Sequence, residues 1–252
     1  MTLKLFTLFF CLAQLLISVN ECISQDTIIS KESGLNLKFG IGKDYPLNDL
    51  AVRFGSNENF SVGLEYKLYS NFVFGSHFTF LFGSNVKENP IINLRNDDNN
   101  IFGIDGLSSS VYLRERAIHS YIYIGKHFGL NKSSSQFLTT SIGVGLLAHK
   151  IKILDDSRAV ASLNSIYIKG YDNLTRGLAI TEQIGYGYTS RLINFDVIFE
   201  STQARTEAIR KIDFATGENR SGKRLDVLVG LKLLWKLPLI RNSNRASETY
   251  FY

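Results

Sequence analysis

Hydrophobic and polar residues alternate with a period of two along several stretches of the chain. In the clearest stretch, residues 225–237, apolar side chains occupy every odd position, while Asp226, Lys232 and Lys236 lie at even positions. A period of two indicates a strand with one apolar face, because a helix would spread these apolar residues around its axis. Thirteen residues suit a tilted membrane-spanning strand, which needs about 9–11, better than a typical soluble strand of about five or six.

Seven further stretches share this pattern, with apolar residues on one parity and polar residues or glycine on the other. They are residues 35–41, 60–68, 72–82, 118–128, 138–148, 178–188 and 193–199. Together with residues 225–237 they predict eight strands. An even number of strands is what a closed antiparallel barrel of the bacterial outer membrane requires.

The predicted connections alternate in length, which supports the same architecture. Short connections lie at residues 70–71, 129–135 and 190–191, and long ones at residues 43–59, 84–117, 150–176 and 203–223. The sequence therefore predicts an all-β fold, an eight-stranded antiparallel transmembrane β-barrel with short periplasmic turns and long extracellular loops. A closed barrel pairs every backbone group in lipid, and eight strands enclose only enough space for side chains.

A soluble sandwich or a lipocalin-like barrel is the alternative for the same pattern. In such a fold the apolar parity would form a dry core and the polar parity would face water. The strand lengths, the alternation of the connections and the almost uniformly apolar face favour the membrane barrel.

The first residues resemble a secretory signal peptide. Lys4 precedes an uncharged apolar run at residues 5–19, and Ser24 offers a small residue for cleavage. A lipoprotein signal on Cys22 is disfavoured, because the preceding residues are not the small apolar ones that its processing favours. We therefore expect a signal peptide at 1–24, an outer-membrane β-barrel at 25–238 and a Tyr-rich periplasmic C-terminal tail at 239–252.

The positions of the cysteines limit which disulfides and thiolate reactions the protein can have. Cys11 and Cys22 both lie inside the predicted signal, so the mature chain is expected to have no disulfide and no thiolate chemistry. The oxygen-rich segment 96–105 does not match a calcium loop, and Gly40–Lys43 lacks the rest of a phosphate-binding loop. We expect no cofactor and no metal.

The histidines His77, His119, His127 and His149 all fall on the inward parity. A lipid hydrolase uses a serine nucleophile, a histidine base and a carboxylate. His119 and Ser120 are adjacent, however, and so lie on opposite faces of a strand, which does not allow a simple nucleophile–base pair. We predict a hydrogen-bonded interior plug with no catalytic residues.

Basic residues concentrate in the fourth predicted outer loop. The candidates for contact with lipopolysaccharide are Arg205, Arg210, Lys211, Arg220 and Lys223. Arginine pairs well with phosphate, and phosphorylated lipopolysaccharide lies at this level of the membrane. Although the formal net charge is +5, an exported membrane protein is not expected to bind nucleic acid.

Two features indicate a protein partner. Glu182 falls on the lipid-facing parity near the middle of a strand, where a carboxylate is unfavourable; either a bulge resets the parity or this wall contacts another protein. The tail ends in Tyr250, Phe251 and Tyr252. These residues are predicted to add to a partner sheet, the alternatives being a barrel-assembly signal or an unstructured end.

Four stretches of the chain resemble a family of small outer-membrane β-barrel proteins of Bacteroidota. They are "GYDNLTRGLAITEQIGYGYTSRLINFDVIFE", "RLDVLVGLKLLWKLPLI", "ETYFY" and "GIDGLSSSVYLRERAIHSYIYIGKHFG". Some barrels of this group are associated with the type nine secretion and gliding apparatus. The resemblance implies a non-enzymatic structural or assembly subunit of an envelope complex, located in the outer membrane and in contact with outer-membrane lipid and other envelope proteins. A small porin or transporter and a lipid A-modifying barrel enzyme remain as alternatives.

Overall fold

Eight long antiparallel strands close into a ring. The computed structural model describes residues 32–130, 135–156, 159–164, 167–190, 192–210, 212–219 and 222–243. The barrel strands are β1 (Glu32–Asn48), β2 (Asn57–Lys67), β3 (Phe72–Gly83), β6 (Val111–Gly129), β7 (Gln136–Asp155), β8 (Thr175–Thr189), β9 (Asn194–Ala208) and β10 (Lys223–Ser243). Each strand pairs with its neighbours in chain order, and β1 pairs with β10 to complete the ring. The predicted fold class is confirmed.

The remaining elements are short and lie in the long connections on one side of the barrel. They are α1 (Asp49–Arg53), the two-stranded hairpin of β4 (Ile101–Phe102) and β5 (Ser108–Ser109), α2 (Ile168–Tyr171), and 3-10 turns at Ile92–Leu94 and Ala161–Leu163. Among the described residues, no helix has the length and apolarity needed to cross a membrane.

Exposure along the strands largely follows the predicted parities, with exceptions on the outward parity that include the buried Glu182, Ser201 and Val227. The outward side chains of Ile41, Val144 and Leu231 are more than half exposed, whereas the inward Lys232 is 2% exposed. An apolar exterior around a charged interior is the reverse of a soluble barrel, because apolar surface is stable outside only where lipid covers it. The lipocalin-like alternative is therefore wrong.

The strands are longer than predicted. β10 continues through Pro238 to Ser243, so the barrel extends five residues beyond the predicted boundary at 238. The β1–β10 register shifts between Leu35 and Asn36, beside the position of Pro238, and such an irregularity accommodates the missing proline N–H. β1 likewise extends to Asn48, which shortens the first outer connection to residues 49–56.

The tight turn between β2 and β3 explains how two strands reverse within four residues. Asn71 has a positive φ of 64°, a left-handed conformation that asparagine tolerates. Its N–H donates to the Leu68 carbonyl at 3.0 Å, and the Leu68 N–H donates to the Phe72 carbonyl at 2.8 Å. These bonds satisfy the turn backbone at the membrane surface.

Glycine opposite tyrosine makes the narrow interior packable. A methyl group at position 75 would lie 2.6 Å from Tyr123 Oη, and one at position 145 would lie 2.6 Å from Tyr121 Cβ. Both distances are too short for carbon contacts, so the inward glycines leave the space that the inward tyrosine rings occupy.

Candidate functional site: lumen, mouth and outer wall

The centre of the lumen holds a hydrogen-bonded cluster that joins opposite sides of the barrel. Lys232 Nζ on β10 lies 2.7 Å from Glu200 Oε1 and donates to Thr79 Oγ1 on β3 at 3.2 Å. Glu200 Oε2 also accepts from Tyr121 Oη at 2.8 Å and from Gln183 Nε2 at 2.7 Å. Since these residues come from β3, β6, β8, β9 and β10, their contacts cross the lumen.

A second charged cluster fills the lumen towards the short turns. Lys38 Nζ lies 2.5 Å from Glu65 Oε2 and 3.1 Å from Asp196 Oδ2, while Lys236 Nζ lies 2.7 Å from Asp196 Oδ1. Tyr123 Oη donates to Glu65 Oε2 at 2.9 Å. Two lysines thus balance two carboxylates, as burial of charge requires. Together with the central cluster, these paired charges fill the lumen.

Near the long loops, Arg53 of α1 points into the barrel. Its Nη1 donates to Thr175 Oγ1 at 2.9 Å and to the Asn173 carbonyl at 3.1 Å, and its Nε lies 2.5 Å from Glu88 Oε2. Asn173 Nδ2 also donates to Glu88 Oε1. We call Arg53, Glu88 and Asn173 the loop clamp, because they join the first, second and third outer connections.

Apolar side chains from strands and loops pack together at the same end of the barrel. Phe54 is fully buried, and its ring meets that of His149 edge to face with centroids 5.7 Å apart. The buried residues of this cluster are Leu50, Phe54, Leu81, Ile91, Ile101, Ala117, Leu147, Ile151, Ile153, Val160, Leu163, Tyr171, Ala179, Ala204 and Leu228. The loops therefore fold over the mouth as an apolar lid, a feature that the sequence analysis missed.

All four histidines are buried and point inward, as predicted, but each has its own surroundings. His77 Nδ1 lies 2.9 Å from Tyr121 Oη, His127 stacks on Phe137 with ring centroids 4.3 Å apart, and His149 Nε2 lies 2.8 Å from Asp226 Oδ2. In the part of the chain that the structure describes, no group of three His, Cys, Asp or Glu side chains is arranged to hold a metal ion.

His119 belongs to an arrangement that resembles a hydrolytic triad in its residue types. Its Nε2 lies 3.1 Å from Thr181 Oγ1 and its Nδ1 lies 3.8 Å from Glu200 Oε1. However, the three residues are at most 5% exposed, and Glu200 is already engaged by Lys232. A nucleophile must reach its substrate, so this arrangement is part of the interior packing.

The predicted partner residue Glu182 keeps its outward parity. The β7–β8 and β8–β9 registers run without a shift through this position, placing Glu182 opposite Ile142 on one side and Ser201 on the other. The bulge alternative is therefore wrong. Gln203 follows Ser201 on the same face of β9, so three polar residues on the outward parity interrupt the apolar belt on this wall, and Glu182 and Ser201 are each 5% exposed.

The five basic candidates do not form one loop cluster. Arg205 is a strand residue, because β9 continues to Ala208; this corrects its predicted place in the fourth loop. Arg210 pairs with Asp172 at 3.2 Å, and Lys223, at the start of β10, lies 3.9 Å from Glu207. Lys211 and Arg220 lie outside the described residues, as do Tyr250, Phe251 and Tyr252.

Sequence reasoning missed a different set of basic residues, at the ends of β6 and β7 next to the long loops. Arg114 and Arg116 lie on β6, and Lys150 and Lys152 lie on β7. All four continue the apolar parity of their strands past Ile118 and Ala148. The period-two pattern contains this signal, although the charge at these positions led to the prediction of loops there.

Structural comparison finds similarity to solved outer-membrane barrels. Neisserial surface protein A is matched with a TM-score of 0.44 and 10% identity, over 82% of this chain and 97% of the other. The outer membrane protein OprG from Pseudomonas aeruginosa gives 0.37 and 12%, over 84% and 99%. The outer membrane protease OmpT from Escherichia coli gives 0.31 and 7%, over 82% and 96%.

No family model matches this sequence. No curated protein matches it either. The membrane location follows from the architecture. A closed barrel with an apolar exterior is stable in a lipid bilayer, and barrels of this kind are found in the bacterial outer membrane. The chain is an outer-membrane β-barrel, as predicted.

Proposed function

We propose that this barrel is a non-enzymatic structural or assembly subunit of an envelope complex. The observation that carries this proposal is the set of ion pairs across the lumen, above all that of Lys232 with Glu200. Because side chains fill the lumen, the surfaces of the barrel that are available for function are its outer wall, its loops and its C-terminal tail. A role in contacts with other envelope proteins fits these surfaces.

The wall around Glu182 is the proposed docking surface. Glu182, Ser201 and Gln203 lie on the outward parity at mid-height, and Glu182 and Ser201 are each 5% exposed. These polar residues interrupt the apolar belt, and a polar patch on a second membrane protein would match that interruption. The partner is therefore expected to present hydrogen-bond donors at the same depth in the membrane.

The C-terminal segment is the second proposed contact. β10 ends at Ser243, so residues 244–252, with Tyr250, Phe251 and Tyr252, follow the last barrel strand. An extended aromatic segment pairs well with an open sheet edge, because backbone hydrogen bonds supply affinity and side-chain pockets supply specificity. The resemblance to Bacteroidota barrels directs this proposal to the type nine secretion and gliding apparatus, and so to protein secretion.

The two alternatives make different demands on the lumen. A small porin or transporter needs a continuous aqueous path, which the charged clusters and the apolar lid oppose. A lipid A-modifying enzyme needs a catalytic group open to the membrane, whereas Thr181, His119 and Glu200 are buried inside. Step conductance in planar bilayers would favour the first alternative, and a changed lipid A mass on gene deletion would favour the second.

The test is the native size of the tagged full chain, solubilised from outer membranes in mild detergent, with co-purifying proteins identified by mass spectrometry. We expect a large defined complex that is lost in Glu182→Leu or on deletion of residues 244–252. The deletion begins at 244 because Asn242 and Ser243 belong to β10. Glu58→Leu is the control, since Glu58 lies opposite Lys43 in the β1–β2 register, on another wall.

Two results would overturn the proposal. One is a wild-type barrel that migrates alone, at its own mass plus detergent. The other is a complex that survives both Glu182→Leu and the deletion while each variant remains folded, as judged by the heat-dependent shift of its mobility in gel electrophoresis.

A further inference from the structure

A groove with a cationic lining lies on the outer surface where β6 and β7 meet the third outer connection. Its volume is about 580 Å³. The charged residues that line it are Arg116, Lys150, Lys152, Lys169, Arg210 and Asp172. We call it the cationic groove, because five cationic side chains share it with one carboxylate.

The strand register places like charges directly opposite one another along the wall of the groove. Arg116 pairs with Lys150, and Arg114 pairs with Lys152, two residues further along. Like charges at directly opposed positions of an antiparallel pair are destabilising. The barrel tolerates two such pairs in succession, which indicates that an anion compensates them.

The protein itself supplies little compensation. Asp172 is paired with Arg210 through two hydrogen bonds of 3.2 Å each. Among the described residues, no ion pair involves Arg114, Lys150 or Lys152. The cationic groove therefore retains a strong positive charge that an outside ligand can neutralise.

The height of the cationic groove corresponds to the lipid headgroups. Ile118 and Ala148 form the opposed pair two residues below Arg116 and Lys150, so apolar wall begins immediately beneath the charges. At the other end of the same strand, Lys126 lies over the rings of Phe72 and Phe128 at 5.5 and 5.4 Å. Arg116 and Lys126 are ten residues apart on one tilted strand, which corresponds to roughly 25 Å along the barrel axis, the height of an apolar belt.

A second groove, of about 610 Å³, lies on the adjoining wall of β2, β3, β6 and β7. Outward Ser76 and Ser120 are small, whereas Phe78, Ile122 and Leu146 around them are large. Small residues between large ones leave an apolar depression of the kind that an acyl chain fills. It lies on the membrane side of the cationic groove, along the same strands.

We propose that the cationic groove binds the phosphate groups of lipopolysaccharide in the outer leaflet, with one acyl chain in the groove beside Ser76 and Ser120. Arginine and lysine at close spacing match phosphate oxygens, and phosphate in turn removes the repulsion within the two like-charged pairs. This site differs from the predicted fourth-loop site in every residue except Arg210. It is independent of the proposed docking wall at Glu182.

The test uses the full chain in nanodiscs or detergent and purified lipopolysaccharide, with bound lipid counted by native mass spectrometry. The variant Arg116→Gln/Lys150→Gln removes one opposed pair. We expect its affinity for lipopolysaccharide to fall by at least about tenfold, since the variant loses two charge-assisted hydrogen-bond donors to phosphate. The control Lys43→Gln/Lys87→Gln removes two exposed lysines from the long-loop side of the barrel, outside the lining of the cationic groove, and should bind as the wild type does.

Binding of dephosphorylated lipopolysaccharide shows whether the protein recognises the phosphate groups or only the acyl chain. Competition by inorganic phosphate shows whether the site binds a lipid or any free phosphate anion. The proposal requires weaker binding after dephosphorylation and no competition from millimolar inorganic phosphate. Equal affinity with and without the phosphate groups would overturn it, as would full competition by inorganic phosphate or an equal loss in the control variant.

Thermal unfolding keeps the test decisive even if affinity is difficult to measure. In lipid-free detergent, Arg116→Gln/Lys150→Gln should be at least as stable as the wild type, because the variant lacks one repulsive pair. Added lipopolysaccharide should raise the melting temperature of the wild type more than that of the variant. An equal rise in both proteins would contradict the assignment.

Discussion

Lys232 Nζ lies 2.7 Å from Glu200 Oε1 in the centre of the lumen, and neither side chain has appreciable contact with solvent. β10 contributes the lysine and β9 the carboxylate, while Tyr121 and Gln183 occupy Glu200 Oε2. A buried ion pair costs desolvation of both charges, and removal of one partner leaves the other uncompensated. This relationship makes the lumen sensitive to single substitutions and less sensitive to paired ones.

The first prediction concerns that pair. Lys232→Met should lower the free energy of unfolding by about 3–5 kcal/mol, because Glu200 is then buried without its cation. The double variant Lys232→Met/Glu200→Met should lose less than the single one. Urea unfolding of the barrel in lipid vesicles measures both. Lys223→Met is the matched control, since Lys223 is 80% exposed and should change stability by less than about 1 kcal/mol. A double variant less stable than Lys232→Met would contradict the interpretation.

The second prediction concerns ion flow. Purified wild-type barrel in planar bilayers should give no step conductance, because the Lys38–Glu65 and Lys232–Glu200 pairs lie one behind the other in the lumen. The variant Lys232→Ala/Glu200→Ala should also remain closed, since the Lys38 cluster and the apolar lid persist. Reproducible steps from the wild type would instead support the porin alternative.

The third prediction concerns the lid. Phe54→Ala should destabilise the folded loops by about 3–5 kcal/mol, because a fully buried ring is removed from a packed cluster. Limited proteolysis of intact barrel should then cleave the outer connections faster than in the wild type. Val52→Ala is a control from the same outer connection, since Val52 is 74% exposed. Equal cleavage rates for the two variants would show that the lid is not held by Phe54.

The fourth prediction concerns the interior glycines. Gly75→Ala should destabilise the barrel by about 1–3 kcal/mol through overpacking, because the added methyl group lies 2.5 Å from Tyr123 Cζ and from the Leu64 carbonyl oxygen. The neighbouring Ser76→Ala, on the outward face, should have little effect. The fraction of refolded barrel, seen as the faster-migrating band in unheated gel samples, compares the two. A normal yield for Gly75→Ala would mean that the tyrosine ring has room to move.

The strand pattern predicted which residues point inward but not which of them meet. The parity of β10 placed Lys232 inside, since a strand alternates its faces. Its partner Glu200 depends on how far adjacent strands are staggered around the ring, a quantity that period-two patterns do not encode. The contact of Phe54 with His149 was likewise not predictable, because loop sequences have no repeating apolar pattern that indicates which residues pack together.

The outer wall illustrates the opposite case. Arg116 and Lys150 obey the same alternation as Ile118 and Ala148, so their outward direction was available from the sequence. A prediction that ends each strand where its apolar residues stop misses them. In a membrane barrel, strands continue past the apolar belt into the headgroup region, and charge on the outward parity marks that continuation.

The loop clamp of Arg53, Glu88 and Asn173 has a consequence for recognition from outside the cell. Because three chain segments are joined at one point and packed on a shared apolar cluster, the exposed surface above them is a composite epitope. An antibody or a phage receptor-binding protein that approaches the intact cell meets residues from all three segments at once. A peptide copied from any one loop does not reproduce that surface.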